Sequence, residues 1–142
     1  MSEKPAFRSP AFTLPNPFGD LLGIQIRDLQ PGTSTLYLDV HQDLMNPSQT
    51  LHGGAAYALA DSGMALALYQ SLPTDKNCAT LEITMHYFRQ VRGGTLTAES
   101  RILHQSRNYA TLECILRIDD DTTVAQATGT FAIIDLQSMP SP

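Results

Sequence analysis

Residues 51–69 are almost wholly apolar and carry one charged side chain. The stretch reads Leu51-His52-Gly53-Gly54-Ala55-Ala56-Tyr57-Ala58-Leu59-Ala60-Asp61-Ser62-Gly63-Met64-Ala65-Leu66-Ala67-Leu68-Tyr69. At helical spacing it is apolar on every side, and a helix of that kind is ordinarily buried rather than amphipathic. The rest of the chain must therefore be arranged to cover it. A carboxylate in such a helix has to be paired, protonated or employed, because burying it alone is costly. No Lys or Arg lies in the stretch to pair with Asp61. Asp61 is thus the first candidate for chemistry. The plainer alternative is a carboxylate that hydrogen-bonds a partner chain or a helix terminus.

On both sides of this helix the pattern changes to a period of two. Gly23 to Leu29 reads as a short strand, Pro31-Gly32 as a turn, and Thr33 to Val40 as a strand with Leu36, Leu38 and Val40 on one face. Residues 41–51, with Asn46-Pro47-Ser48, form a loop into the helix, and Pro73-Thr74-Asp75 ends it. Four strands follow. Ala79 to Arg89 alternates Leu81, Ile83, Met85 and Tyr87 against Thr80, Glu82, Thr84 and His86. After Gly93-Gly94 come Thr95 to His104, Tyr109 to Ile118, and Thr122 to Leu136. Their short connections predict antiparallel hairpin neighbours. One apolar helix and six antiparallel strands predict an α+β domain whose sheet curls around the helix. The small residues at 53–56, 58, 60, 63, 65 and 67 would let the two lie close. Residues 1–16, with Pro5, Pro10 and Pro15, read as a Pro-rich arm. Asn16 caps a short helix at Pro17. The domain is expected over 17–136, with a tail at 137–142.

Several classes of function are disfavoured. With 9 Lys and Arg against 14 Asp and Glu, the net charge is −5, which argues against nucleic acid or an anionic membrane as partner. The N-terminus lacks the apolar core of a signal peptide, no run is a membrane span, and the default compartment is the cytoplasm. Cys78 and Cys114 sit in strand-like runs and read as small buried hydrophobes. His41, His86 and His104 have no metal-ligand spacing, so no metal site is expected. Asp119-Asp120-Asp121 reads as a solvated turn. No nucleophile elbow, P-loop or dinucleotide fingerprint is present.

The polar residues that remain cluster before and within the helix: Asn46 in the loop, His52, Gly53 and Gly54 at the start, and Asp61 inside. The first amides of a helix have no internal acceptors and favour a negative oxygen. Glycines there let a carbonyl approach the backbone, as an oxyanion hole requires. Gly53 and Asp61 are about 12 Å apart along a helix axis. They can serve one carbonyl carbon only if they come from different chains. Two such helices packed antiparallel about a two-fold axis would set Gly53 of one beside Asp61 of the other, which predicts an obligate dimer with two shared sites.

This arrangement, Asn46, His52-Gly53-Gly54 and Asp61, resembles the motif of hot-dog-fold thioesterases, most nearly the PaaI-like branch of the 4-hydroxybenzoyl-CoA thioesterase superfamily. The resemblance runs from about Phe18 to Ile134. It includes Thr80 to Arg89 as the strand after the helix and Ala125 to Phe131 as the last strand. It implies hydrolysis of an acyl-CoA thioester with no metal or redox cofactor, by a dimer or a dimer of dimers. Gly53 would supply the amide that polarises the carbonyl, and Asp61 from the partner chain would be general base or nucleophile. Thr80 would hold the water or the carboxylate, and Asn46 and His52 would orient the carbonyl and the loop. Ser106-Arg107-Asn108 stands where the family more usually has Gly and a basic residue. Arg89, Arg92, Arg107 and Asn108 are the candidates for coenzyme A phosphates. Tyr57, Met64 and Leu68 are expected to line a pocket for a medium-chain or aromatic acyl group. The rival readings are a hot-dog hydratase or dehydratase, which would release no thiol, and a non-catalytic acyl-CoA-binding module.

Overall fold

A computed structural model describes residues 16–138. Nearly all of the expected arm, and the last four residues of the expected tail, lie outside them. The elements are α1 (Pro17–Leu22), β1 (Gln25–Gln30), β2 (Thr33–Asp39), α2 (Gly53–Ser71), β3 (Lys76–Tyr87), β4 (Thr95–Gln105), β5 (Tyr109–Ile118) and β6 (Thr122–Asp135). Single 3-10 turns at Gln42–Leu44 and Leu136–Ser138 complete the course. The Asn16 side chain accepts from the Gly19 amide at 3.2 Å, and Gly23 ends α1 at φ 85°, where a residue without Cβ is least strained.

All six strands pair antiparallel in one sheet, ordered β1-β2-β4-β5-β6-β3. This corrects one expectation. β3 and β4 are not hairpin neighbours: β3 forms the far edge beside β6, while β4 pairs with β2. The link 88–94 crosses the end of the sheet instead. It is pinned by Phe88 and Arg89 amides on the Val124 carbonyl and by the Leu51 amide on the Val91 carbonyl. Three strand spacings are about 14 Å, which a seven-residue link spans easily. A short connection therefore did not require adjacency once the sheet curved.

The sheet wraps α2. Ala56, Leu59, Ala60, Met64, Ala67 and Leu68 of the helix are buried against Leu36, Leu38, Leu96, Leu112, Leu116 and Phe131. Their spacing is helical on α2 and alternating on the strands, as a helix on a sheet requires. Each large side chain so buried contributes about 1.5–3 kcal/mol. Closest approach falls at Gly63. The Ser34 hydroxyl donates to its carbonyl at 2.6 Å, and a Cβ there would meet Ser100 Oγ at 2.8 Å.

Among the described residues, nothing seals the opposite side of α2. Gly54 and Tyr57 are exposed, and Ala58, Asp61 and Ala65 are half-buried. The helix is apolar all round, yet the described residues of one chain bury only one side of it. The stripe they leave lies next to β3, an edge strand that among the described residues pairs only with β6.

The β5–β6 turn carries more than solvated charge. Asp119 and Asp120 adopt φ 52° and 59°, a region that Asp tolerates through local hydrogen bonding. The Asp120 carboxylate accepts from Thr97 Oγ1 at 3.0 Å and from Arg27 Nη1 at 3.1 Å. The Thr97 hydrogen bond, then that of Arg27, holds the Asp120 carboxyl below its ordinary value.

Candidate active site

The loop before α2 is built on Asn46. Its Oδ1 accepts from the amides of Ser48 at 2.9 Å and Thr50 at 3.2 Å, and its Nδ2 donates to Thr50 Oγ1 at 2.8 Å. The backbone closes the same turn, with the Asn46 amide on the Thr50 carbonyl. A short amide side chain that bonds its own downstream backbone stabilises such a turn. The turn delivers His52 in extended conformation as the N-cap of α2. His52 Nδ1 accepts from the Gly54 amide at 2.8 Å. Gly53 is the first helical residue, so its amide has no acceptor within its own helix.

Asp61 stands on the uncovered side of α2 and accepts at Oδ1 from the Thr80 hydroxyl at 2.7 Å. Thr80 reaches it because of an irregularity that periodicity concealed. The β3–β6 register shifts between Thr80 and Glu82. A bulge inverts which side chains face the helix. Cys78 and Thr80 meet α2 before it, bonding the Ala65 carbonyl and Asp61. Ile83, Met85 and Tyr87 meet α2 after it, while Leu81 is left 63% exposed. Simple alternation had put Thr80 and Tyr87 on opposite faces.

Tyr87 is the site residue that sequence reasoning missed. Its hydroxyl donates to the Gly53 carbonyl at 2.6 Å, and its ring lies against the glycine so that a Cβ on Gly53 would meet the phenol oxygen at 3.2 Å. Burial, then the neighbouring Tyr57 phenol, holds the Tyr87 hydroxyl above its ordinary value, so it remains a donor. Tyr57 returns the contact, donating to the Ile83 carbonyl at 3.4 Å. No local motif marked Tyr87; it lay on what read as the apolar face of a strand.

Two cavities flank the helix start. One, of about 300 Å³, is lined by Asn46, Gly53, Ala56, Tyr87, Arg89 and Val91 among others. The second, of about 200 Å³, is walled by Phe18, Leu22, Leu44, Met45, His52 and Gly54 with neighbours. Met64 and Leu68 line neither: both are completely buried in the core, which overturns their expected place in an acyl pocket. Helical spacing alone had not said which side of α2 the sheet would take.

The remaining candidates are not gathered in one chain. Arg89 borders the larger cavity and Arg92 is exposed in the same link. Arg107 and Asn108 sit in the β4–β5 turn, at the other end of α2, where Ser71 Oγ bonds the Gln105 side chain. The two pairs are roughly 30 Å apart, the length of β4. Gly53 and Asp61 are likewise about 12 Å apart along the helix. Among the described residues, no three His, Cys, Asp or Glu side chains are grouped to hold a metal ion, and no helix is long and apolar enough to cross a membrane. Cys114 is a buried free thiol. Burial pushes the Cys114 thiol up to about 12.

A curved antiparallel sheet around one long helix is the architecture of the hot-dog thioesterases. The model of the thioesterase superfamily matches residues 48–125. The chain belongs to that superfamily and is a thioester hydrolase. Among solved structures, a thioesterase of Pseudomonas aeruginosa is similar at 32% identity and TM-score 0.81, over 85% of this chain and 88% of that one. A thioesterase of Haemophilus influenzae superposes with TM-score 0.84 at 26% identity, over 89% and 88%. The acyl-coenzyme A thioesterase PaaI of Escherichia coli is 28% identical over 76% of each chain.

Proposed function

We propose that this protein hydrolyses acyl-CoA thioesters in sites shared by two protomers. The observation that carries the reading is the Asp61–Thr80 pair on the uncovered side of α2, about 12 Å from the free amide of Gly53. A dimer with α2 packed antiparallel on its partner covers the apolar stripe and brings the partner subunit's Asp61 to Gly53. In that site the Gly53 amide and the helix dipole polarise the thioester carbonyl. Asp61 activates water as general base or attacks as nucleophile, and Thr80 fixes the carboxylate's rotamer. Asn46 shapes the loop that presents His52 and Gly53. In the general-base route the water oxygen adds to the carbonyl carbon as Asp61 takes its proton, and collapse breaks the carbon–sulfur bond, the leaving thiolate taking that proton as coenzyme A departs. In the nucleophile route the carboxylate adds, collapse expels coenzyme A thiolate and leaves a mixed anhydride, and water then cleaves the anhydride to the free acid and restores Asp61.

The same packing accounts for the divided phosphate-binding candidates. Arg89 and Arg92 lie near Gly53 of one protomer. Arg107 and Asn108 lie near the last turn of α2, roughly 15 Å beyond Asp61 along the axis. Across the two-fold axis, the second pair comes to the outer side of the partner's Gly53, where the phosphates of coenzyme A leave the protein. The cavity walled by Phe18, Leu22, Leu44 and Met45 takes the acyl group. Its apolar walls suit an aromatic or medium-chain acyl group.

Thiol release from a panel of acyl-CoA substrates tests this reading, with wild type beside Asp61→Ala and Asp61→Asn. Release by wild type that falls at least about a hundredfold in both variants, in a dimer of unchanged mass, is expected. Equal rates in the variants, or no release from any thioester, would remove the Asp61 mechanism.

A further inference from the structure

Three groups at the start of α2 form one continuous hydrogen-bonded line. The Tyr87 hydroxyl donates to the Gly53 carbonyl at 2.6 Å. That carbonyl and the Gly54 N–H are two ends of one peptide group. The Gly54 N–H donates to His52 Nδ1 at 2.8 Å. Hydrogen bonds in series polarise one another, so a donor on the carbonyl strengthens the N–H at the far end. Nδ1 can accept only with its lone pair free. In a neutral imidazole this puts the proton on Nε2. The ring is exposed and forms a wall of the cavity beside Gly54. Its one remaining polar atom is therefore a donor.

We propose that Tyr87 is a positioning residue that acts through the Gly53–Gly54 peptide to hold His52 in the Nε2–H form, so that His52 serves the reaction as a hydrogen-bond donor to the developing oxyanion and not as a base. Further geometry supports the line. The Tyr87 ring lies flush on Gly53, where a Cβ would meet ring carbon Cζ at 3.3 Å. A Cβ on Gly54 would meet His52 Nδ1 at 2.9 Å. Both glycines thus leave room for the two side chains that the peptide connects. The Tyr57 hydroxyl on the Ile83 carbonyl laces the same turn of α2 to β3 and keeps Tyr87 in register. An oxyanion hole combines backbone and side-chain donors, and the proposal assigns the side-chain part to His52 Nε2–H. A His52 acting as base at Nδ1 would have to break the cap that starts the helix.

The role of the donor in turnover rests on the thioester-hydrolase reading above; the form of the ring does not. The test has two arms. The ring nitrogens of His52 are read by 15N NMR on the substrate-free protein, its signals assigned by their loss in His52→Gln. Wild type is expected to show a pyrrole-type Nε2 and a pyridine-type Nδ1. Tyr87→Phe is expected to move both toward the average of two exchanging forms and to lower kcat roughly fivefold or more, with KM within about twofold. Tyr37→Phe, which removes a hydroxyl bonded to Gln25 on the far side of the sheet, should change neither. A protonated Nδ1 in wild type overturns the proposal without any variant. So does unaltered nitrogen chemistry in Tyr87→Phe, whatever happens to kcat, and so does an altered ring with unchanged kcat. If wild type releases no thiol, the hydrolase reading fails on its own while the nitrogen arm still decides the tautomer.

Discussion

The two sides of α2 are made from nearly the same residues and have opposite fates. The inner side, with Leu59, Ala60, Gly63 and Met64, is sealed against the sheet. The outer side, with Gly54, Tyr57, Asp61 and Ala65, is exposed or half-buried among the described residues and holds the carboxylate. Hydrophobicity does not distinguish them. The difference lies in backbone proximity: on the inner side, Gly63 admits the Ser34 and Ser100 hydroxyls to the helix. On the outer side, an edge strand supplies side chains, Thr80 and Tyr87, and no cover. Stability therefore resides on one side of the helix and chemistry on the other, and the two should respond to mutation independently.

Gly53→Pro separates the two sides of the helix most strongly. Proline removes the amide proposed to polarise the carbonyl. It suits the first helical position, and His52 precedes it in the extended conformation that proline favours. A Cβ there meets the Tyr87 phenol oxygen at 3.2 Å, so the half-exposed ring has to shift by a few tenths of an ångström. Thiol release should fall by about 10²–10³-fold, and Tm by no more than that small repacking costs. A loss of fold in place of activity would contradict the separation. On the inner side, Leu59→Ala empties a completely buried site and should cost about 2–5 kcal/mol in denaturant unfolding, with kcat preserved below the transition. An equal loss of kcat would show that the two sides are coupled.

The smallest effect concerns neither side. Asp120 has a folded-state pKa below its ordinary 3.8, so it is deprotonated in the native turn at a pH where the unfolded chain has begun to take up the proton. Its contribution is present above the ordinary carboxylate range and is lost as pH falls through the lowered value. The Tm difference between wild type and Asp120→Asn should shrink below about pH 4. A difference that is flat with pH would assign the turn's effect to backbone conformation alone.

The fold was legible because its strongest signal is one of exclusion. A helix with no polar side leaves a single-domain chain little choice but to wrap it, and the alternation of Leu36 and Leu38, or of Leu112, Cys114 and Leu116, says which side of each strand does so. Periodicity could not reveal strand order, because a seven-residue link serves a hairpin or a crossing equally well. It also could not reveal the bulge between Thr80 and Glu82. That one extra residue turns Thr80 to Asp61 and Tyr87 to Gly53, and it leaves no mark of composition. The residues of the loop and helix start were legible by position, with Asn46 in the loop and His52 and Gly53 where the helix begins. Asn46 and His52 are also engaged structurally, one in the turn and one in the cap. Met64 and Leu68 were misread because the side of the helix they occupy is a tertiary fact.

Each proposed site takes Gly53 from one protomer and Asp61 from the other. Subunit exchange between Asp61→Ala and Gly53→Pro proteins, each inactive alone, tests it directly. In a mixed dimer, the shared-site arrangement puts both lesions in one site and leaves the other wild type. Random exchange at equal concentrations should then restore roughly a quarter of wild-type thiol release. A mixture as inactive as its parents, with exchange verified by mass, would place both groups in the same protomer's site and contradict the account.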